Sequence, residues 1–356
     1  MDKRFSRIDS DLDHQSEGSA GPKQEKSAGL RIPGVRDRMF PVAMAVILFS
    51  ISILVGSTSP RAFGADRPEP AEFAALIPAL VPFELRPEIN ERVEYWRERF
   101  TTDRRREFEI FLSREGRYGS LIRDALRDRA MPEELLYLAM VESGFATNAQ
   151  SAVSATGVWQ FMGPTALQYG LRIDDYVDER RDPVAATEAA IDYLESLYDR
   201  FGSWYLAAAA YNAGPNRVGY IVRRATGQSE DYTDPEFESL YWDIVDQLPR
   251  ETREYVPRII ASMMLAKQQG DYGLESEMEE PYQYDRVWVP GGTSLATISL
   301  ALGVNMTALR ELNPHLIQRV TPPGEPFALR VPMGQSQRVV AALDPRKGSR
   351  VARVNN

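Results

Sequence analysis

Apolar residues along most of this chain recur at helical spacing. Residues 1–38 are the first exception. They are polar, mixed in charge and rich in Gly and Ser, and are expected to be disordered. Arg36 and Arg38 then precede an almost unbroken apolar run, Phe40 to Gly56. It is long for a signal core and slightly short for a spanning helix, so residues 39–65 read as a signal peptide or a signal anchor. Either reading places the rest of the chain outside the cytoplasm. Residues 66–86, rich in Pro, Glu and Ala, read as a linker.

From Pro87 the pattern predicts charged helices, with Tyr95, Phe100, Phe108, Phe111 and Leu112 as apolar positions better suited to packing than to holding a ligand. Pro132 suits the first turn of the next helix. There Leu135, Leu138 and Ala139 form one stripe, and Glu142, seven residues after Leu135, projects from it. Ser143-Gly144 ends that helix. Residues 146–157, ATNAQSAVSATG, are too small to build a core but suit backbone lying close to a ligand. Val158-Trp159-Gln160-Phe161-Met162 follows, then Gly163-Pro164 as a turn. Asp182-Pro183 opens a helix faced by Ile191, Leu194 and Tyr198. Trp204, Ala207, Ala208 and Tyr211 share a stripe that stops at Gly214-Pro215.

The pattern changes after an acidic linker, Glu275 to Glu280. Arg286-Val287-Trp288-Val289 alternates as a strand, and Phe327, Leu329 and Val331 alternate as another. Between them, Leu295, Ile298 and Leu302 line one helix. A second, capped by Asn305, runs through Leu309 and Leu312 to Asn313-Pro314. His315 falls in a loop expected to be exposed, and residues 334–356 read as a flexible tail.

Composition narrows the chemistry. The 356 residues contain no cysteine, which removes thiol catalysis, disulfides, cysteine-bound metals and a lipid-modified N-terminal cysteine. Only His14 and His315 are present, too few for a Ser-His-Asp triad and a two-His metal site alike. Neither a metal nor a cofactor is expected, and acid–base work must rest on Asp, Glu, Tyr or Lys. A net charge of −9 argues against nucleic acid and gives no long-range pull toward an anionic polymer. Glu142 on an apolar stripe is costly unless paired or protonated, and desolvation there would raise its pKa as a general acid requires. A buried Glu held in an arginine pair fits the same spacing.

Four segments in order carry a resemblance over roughly residues 90 to 270: Glu142-Ser143 with Phe145, then Gly157 to Met162, then Ala210-Tyr211-Asn212-Ala213-Gly214, then Pro249 to Pro257 containing Glu251, Thr252 and Tyr255. Together they resemble family 1 soluble-type (SLT) lytic murein transglycosylases, nearest the branch of membrane-bound lytic murein transglycosylase D. The C-terminal strand–helix–helix–strand pattern resembles a LysM module. The resemblance implies a mainly α fold: a lysozyme-like helical domain over 87–274, with its motif core at 130–260, and a small βααβ LysM-like glycan-binding module over 284–333. It implies that Glu142 cleaves the MurNAc–GlcNAc bond of peptidoglycan, serving as acid and then base, and leaves a 1,6-anhydro end. Ser143, Gln160, Tyr211, Asn212 and Tyr255 would bind substrate. Plain packing fits Tyr211 and Tyr255 too, and Asn212 suits a helix cap. The implied partner is the peptidoglycan strand in the periplasm or cell envelope, with inner-membrane association through residues 39–56. A hydrolase on the same fold and a non-catalytic peptidoglycan-binding protein are the competing readings. Asp178, Glu179 and Asp182 read as caps and surface pairs. Three positions depart from the family pattern: Thr147 stands where Pro is usual, Ser154 where Gly is usual, and Gly163 where Pro is usual.

Overall fold

A computed structural model of the chain describes residues 87–227 and 237–343. The expected leader and linker, residues 1–86, lie outside the described residues.

Helix α1 (Glu91–Thr101) starts where the Asn90 side chain accepts from the Arg92 and Val93 amides, a cap that contributes about 1 kcal/mol. It buries Val93, Trp96 and Phe100. The 24-residue α2 (Arg105–Asp128) buries Phe108, Leu112, Tyr118, Ile122 and Leu126 along one stripe. Phe100 stacks on Phe108 at 4.9 Å between ring centres. The aromatics of this charged region are thus largely packing residues, as the pattern suggested; Tyr95 stays exposed.

A short 3-10 turn, Glu133–Leu135, leads into α3 (Leu136–Ser143), whose residues Leu136 to Met140 are all buried. Helix α4 (Gly163–Gln168) follows the small-residue loop. Asp182 caps α5 (Pro183–Phe201), and Ser203 caps α6 (Trp204–Ala213). Ala207 to Ala210 are fully packed, so α6 lets its neighbours approach closely. Beyond α7 (Pro215–Thr226) and α8 (Phe237–Ile244), α9 (Arg250–Lys267) packs against α1, α3 and α6 at once.

The C-terminal unit pairs β1 (Asp285–Val289) with β2 (Phe327–Val331) antiparallel, Val287 opposite Leu329. Val287 and Val289 point inward and Trp288 outward, so the alternation reads correctly. Helices α10 (Leu295–Leu302) and α11 (Met306–Leu312) lie between the strands in sequence and cover them with Ile298 and Leu309. The mainly helical fold with a terminal βααβ unit is as the pattern predicted.

Several expectations need correction. The tail expected from residue 334 contains a helix, α12 (Ser336–Leu343), because Val339 finds an apolar place in the unit's core. The acidic linker is laid down along α2: the Glu279 and Tyr282 amides donate to the Ser113 and Arg117 carbonyls at 2.9 Å each. Finally His315 is buried. Its loop crosses onto the helical domain, where the Asp178 amide donates to the His315 carbonyl at 2.9 Å and Ile317 N to Tyr176 O at 3.1 Å. Burial pushes the imidazole down to about 4, so it is neutral near pH 7.

The two units share side chains. Val177 of the helical domain belongs to the apolar cluster of the C-terminal unit, and Leu312 of that unit belongs to the main core. Between them Arg330 donates to Asp182 at 2.7 Å and to the Tyr282 hydroxyl at 3.0 Å, and Tyr282 donates to the Leu312 carbonyl at 2.7 Å. Asp182 was expected at the surface; it is a cap, but a buried one, because Arg330 comes with the docked unit to neutralise it.

Candidate active site

Helix α3 is apolar all round until its last turn, where Glu142 emerges beside a cavity of about 400 Å³. Gly144 ends the helix with φ +55°, its amide on the Met140 carbonyl. A Cβ at Gly144 would lie 2.1 Å from the Phe111 ring, so backbone conformation and space both demand glycine. Phe111 thereby forms one wall of the cavity.

The Glu142 carboxyl is half-buried: open to the cavity on one side, closed in by protein on the others. Its Oε1 accepts a 2.6 Å hydrogen bond from Tyr255. Desolvation raises it to about 7, against the opposing pull of the Tyr255 hydrogen bond and of Arg258, with a small addition from Glu251. Its place in the last helical turn, at the negative end of the dipole, also disfavours the charged form. No arginine pairs with it among the described residues, so the alternative of a structural ion pair does not hold. The group can carry a proton near neutral pH and release it to a neighbour.

The other expected residues divide into two sets. Ser143 and Gln160 line the same cavity as Glu142. The Ser143 hydroxyl donates to the Val158 carbonyl at 2.8 Å, tying the end of α3 to the loop, and Gln160 Nε2 donates to the Gly157 carbonyl at 2.9 Å. Tyr255 is buried and reaches Glu142 directly from α9. Tyr211 stands close enough for the Glu142 charge to act on it, but burial is the main cause of its strongly raised phenol pKa. Its hydroxyl donates to the Trp159 carbonyl at 2.8 Å, and its ring packs on Phe161 and Tyr193. Asn212 is neither in the cavity lining nor a cap, since Gly214 takes that position. Its Oδ1 accepts from Thr252 at 2.8 Å and ties α6 to α9.

The small-residue loop serves packing as well as access. At Gly157, φ is +84° and a Cβ would fall 1.7 Å from the Arg180 carbonyl oxygen. Ser154 adopts φ +65°, a conformation natural to glycine, at a cost on the order of 1 kcal/mol. Asp178 is held by Arg180 through two side-chain bonds at 2.9 Å, and Glu179 accepts from the Arg172 amide. These acids are structural, as expected.

Arg258 and Ser262 line the cavity and were not anticipated. They follow Tyr255 at three and seven residues on α9, a helical periodicity visible in the sequence. Arg258 also lies over the Trp96 ring, 5.2 Å from its centre. Glu107 lines the cavity too, with both oxygens held by Arg104 at 2.6 and 2.7 Å.

Residues 120–233 match the family model of the transglycosylase SLT domain, and residues 283–347 match that of the LysM-like domain of lytic transglycosylase MltD. The chain is 31% identical over 228 residues to membrane-bound lytic murein transglycosylase D of Escherichia coli (strain K12), a match spanning 63% of this chain and 48% of that protein. It is 26% identical over 151 residues to the soluble lytic murein transglycosylase of the same strain, across 40% of this chain and 22% of that one. Among solved structures, the 70 kDa soluble lytic transglycosylase of Escherichia coli aligns with a TM-score of 0.33 at 25% identity, over 43% of this chain and 24% of that one. The chain thus carries an SLT transglycosylase domain followed by a LysM-like domain, and spans about half the length of the curated transglycosylase D it matches.

Proposed function

We propose that this chain is a peptidoglycan lytic transglycosylase in which Glu142 acts first as acid and then as base. One observation carries the reading: a carboxyl raised to about 7 stands at an open cavity with, among the described residues, a single hydroxyl donor and no paired arginine. Neutral Glu142 protonates the glycosidic oxygen between MurNAc and GlcNAc. The C1–O bond breaks with its electron pair going to the departing GlcNAc oxygen, and the substrate's own N-acetyl group stabilises the sugar cation. The carboxylate left on Glu142 then accepts the proton of the MurNAc C6 hydroxyl as that oxygen closes on C1. A 1,6-anhydro end results and Glu142 is protonated again. Tyr255 holds the carboxyl in place, and its hydrogen bond strengthens when the group is charged. Arg258 favours that charged intermediate from the same helix face. Ser143 and Gln160 contact the sugar from the loop side, and Tyr211 walls the site with hydroxyl lone pairs free to accept from the N-acetyl group.

The match to a LysM-like domain supports a grip on GlcNAc-containing glycan, and with such a substrate the chain would work in the cell envelope. Among the described residues no helix is long and apolar enough to cross a membrane; the run at 39–56 lies outside them. A hydrolase is the second reading, because Glu107 gives the cavity a second carboxylate.

Digestion of purified peptidoglycan followed by mass spectrometry of the soluble fragments tests both. Anhydro ends are expected, and reducing ends would replace the transglycosylase by the hydrolase. Glu142→Gln should lower cleavage by roughly 10²–10⁴-fold, the range of general acid–base catalysis; undiminished cleavage would remove Glu142 from the chemistry.

A further inference from the structure

A second and larger cavity, of about 540 Å³, opens where the LysM-like domain meets the helical domain. Its walls carry Arg114 and Arg117 from α2, Arg181 from the turn before α5, Arg310 from α11 and Arg319 from the following loop. In a chain of net charge −9 this is a marked local reversal. The lining acids are Glu279 and Glu311, and both face the same arginine, Arg117, at 4.0 and 3.3 Å. Arg310 and Arg319 form no ion pair among the described residues. Arg114 donates to the Gly144 carbonyl at 3.2 Å. Arg181 lies 3.8 Å from Asp178, whose carboxylate Arg180 already holds, and its Nε is buried without a hydrogen-bond partner. Arg319 keeps its side chain although its backbone φ is +60°, where glycine is favoured.

Position adds to charge. Phe145 to Asn148 form one side of this cleft, and Ser143 and Gly144, immediately before them, line the cavity of Glu142. One short stretch of chain therefore separates the two cavities. Thr147, the position where the family pattern has Pro, faces the basic side.

We propose that the arginine cleft binds the carboxylates of the peptide carried by the sugar under cleavage. This rests on the peptidoglycan reading above and extends it. A glycan lying at Glu142 carries its peptide on the MurNAc lactyl group, and that peptide has several carboxylates on a short backbone. Guanidinium groups that lack internal partners match them through paired N–H···O bonds. A neutral sugar offers the cleft hydrogen-bond acceptors but no charge to balance its arginines. The chain's overall acidity, which argued for short-range contacts alone, is compatible with this, because the attraction is confined to one cleft.

The test uses the full chain with Glu142→Gln, so that binding is read without cleavage. Two ligands are compared at low salt: glycan fragments bearing their peptides, and the same fragments stripped by an amidase. The peptide-bearing form should bind about tenfold or more tightly, and added salt should erode that preference. Arg310→Glu with Arg319→Glu should abolish it at an unchanged melting temperature. In the otherwise native chain, the same pair should slow cleavage of peptide-bearing strands by about tenfold and leave stripped strands unaffected. Competition by a free acidic stem peptide, and not by citrate, supports a peptide site; equal competition by citrate overturns it in favour of a general anion site. Equal affinity for both glycan forms, or a preference that survives the double substitution, also overturns it. Failure of the catalytic reading looks different: Glu142→Gln would still cleave, whatever the peptide preference.

Discussion

Two acids stand at opposite ends of helices, in opposite surroundings. Glu142 closes α3 at the negative end of its dipole, with a tyrosine hydroxyl as its hydrogen-bond donor and a cavity before it. Asp182 opens α5, where its carboxylate caps the Val184 and Ala185 amides and meets Arg330 at 2.7 Å. Asp182 is withdrawn from water, and Glu142 is half-buried at the mouth of its cavity. One lacks a full counter-charge and can trade a proton; the other is neutralised and clamps two units together. Burial alone does not mark a reactive acid. The helix end and the partner decide.

The contrast predicts opposite responses to substitution. The largest belongs to the clamp. Arg330→Met leaves Asp182 buried and unpaired, so urea unfolding should lose about 3–5 kcal/mol. Adding Asp182→Asn, which keeps the cap, should recover more than half. A loss under 1 kcal/mol for the single change would show that the clamp is not what holds the seam.

At the cavity the sign reverses. The folded chain keeps Glu142 protonated up to about pH 7, whereas an unfolded chain releases that proton near 4.5. Stability from this group is therefore lost as pH rises between those values. Glu142→Gln should gain about 1–2 kcal/mol at pH 8, a figure reduced from roughly 3 for solvent at the cavity mouth, and the gain should vanish below pH 4.5. Thermal unfolding at the two pH values measures it; an equal effect at both would mean the carboxyl is not desolvated.

The smallest effect sharpens the mechanism. Tyr255 holds the Glu142 pKa down, so Tyr255→Phe should move the alkaline limb of the pH–kcat profile upward by a fraction of a pH unit while lowering kcat. An unmoved limb would make Tyr255 a packing residue only.

Much of the clamp, and the contact between Glu142 and Tyr255, could not be read from spacing for one reason: they join residues far apart in the chain. The Leu135–Leu138–Glu142 stripe and the Asp182-Pro183 cap are local patterns, and both were legible. Tyr255 lies 113 residues from Glu142, and no spacing rule links them; only the family resemblance brought them together. The bond from Thr252 to Asn212 spans 40 residues and two helices, so spacing gave no sign of it. His315 looked exposed because a polar loop residue gives no sign that another domain will cover it. The arginine cleft draws on four segments, so in the sequence its charge disappears into a net −9.

The segment from Glu275 to Tyr282, pinned along α2, also bears on how the proposed function would be carried out. A binding module on a loose tether raises local concentration and lets the active domain sample many bonds around one anchor. A module whose leash is fastened and whose base shares a core with its neighbour cannot do so. On the proposed function it would act as a jig, presenting a seated strand to Glu142 at a fixed offset and in one orientation. The choice of bond would then be made by alignment along the strand, and moving to the next bond would require the whole chain to let go and reseat.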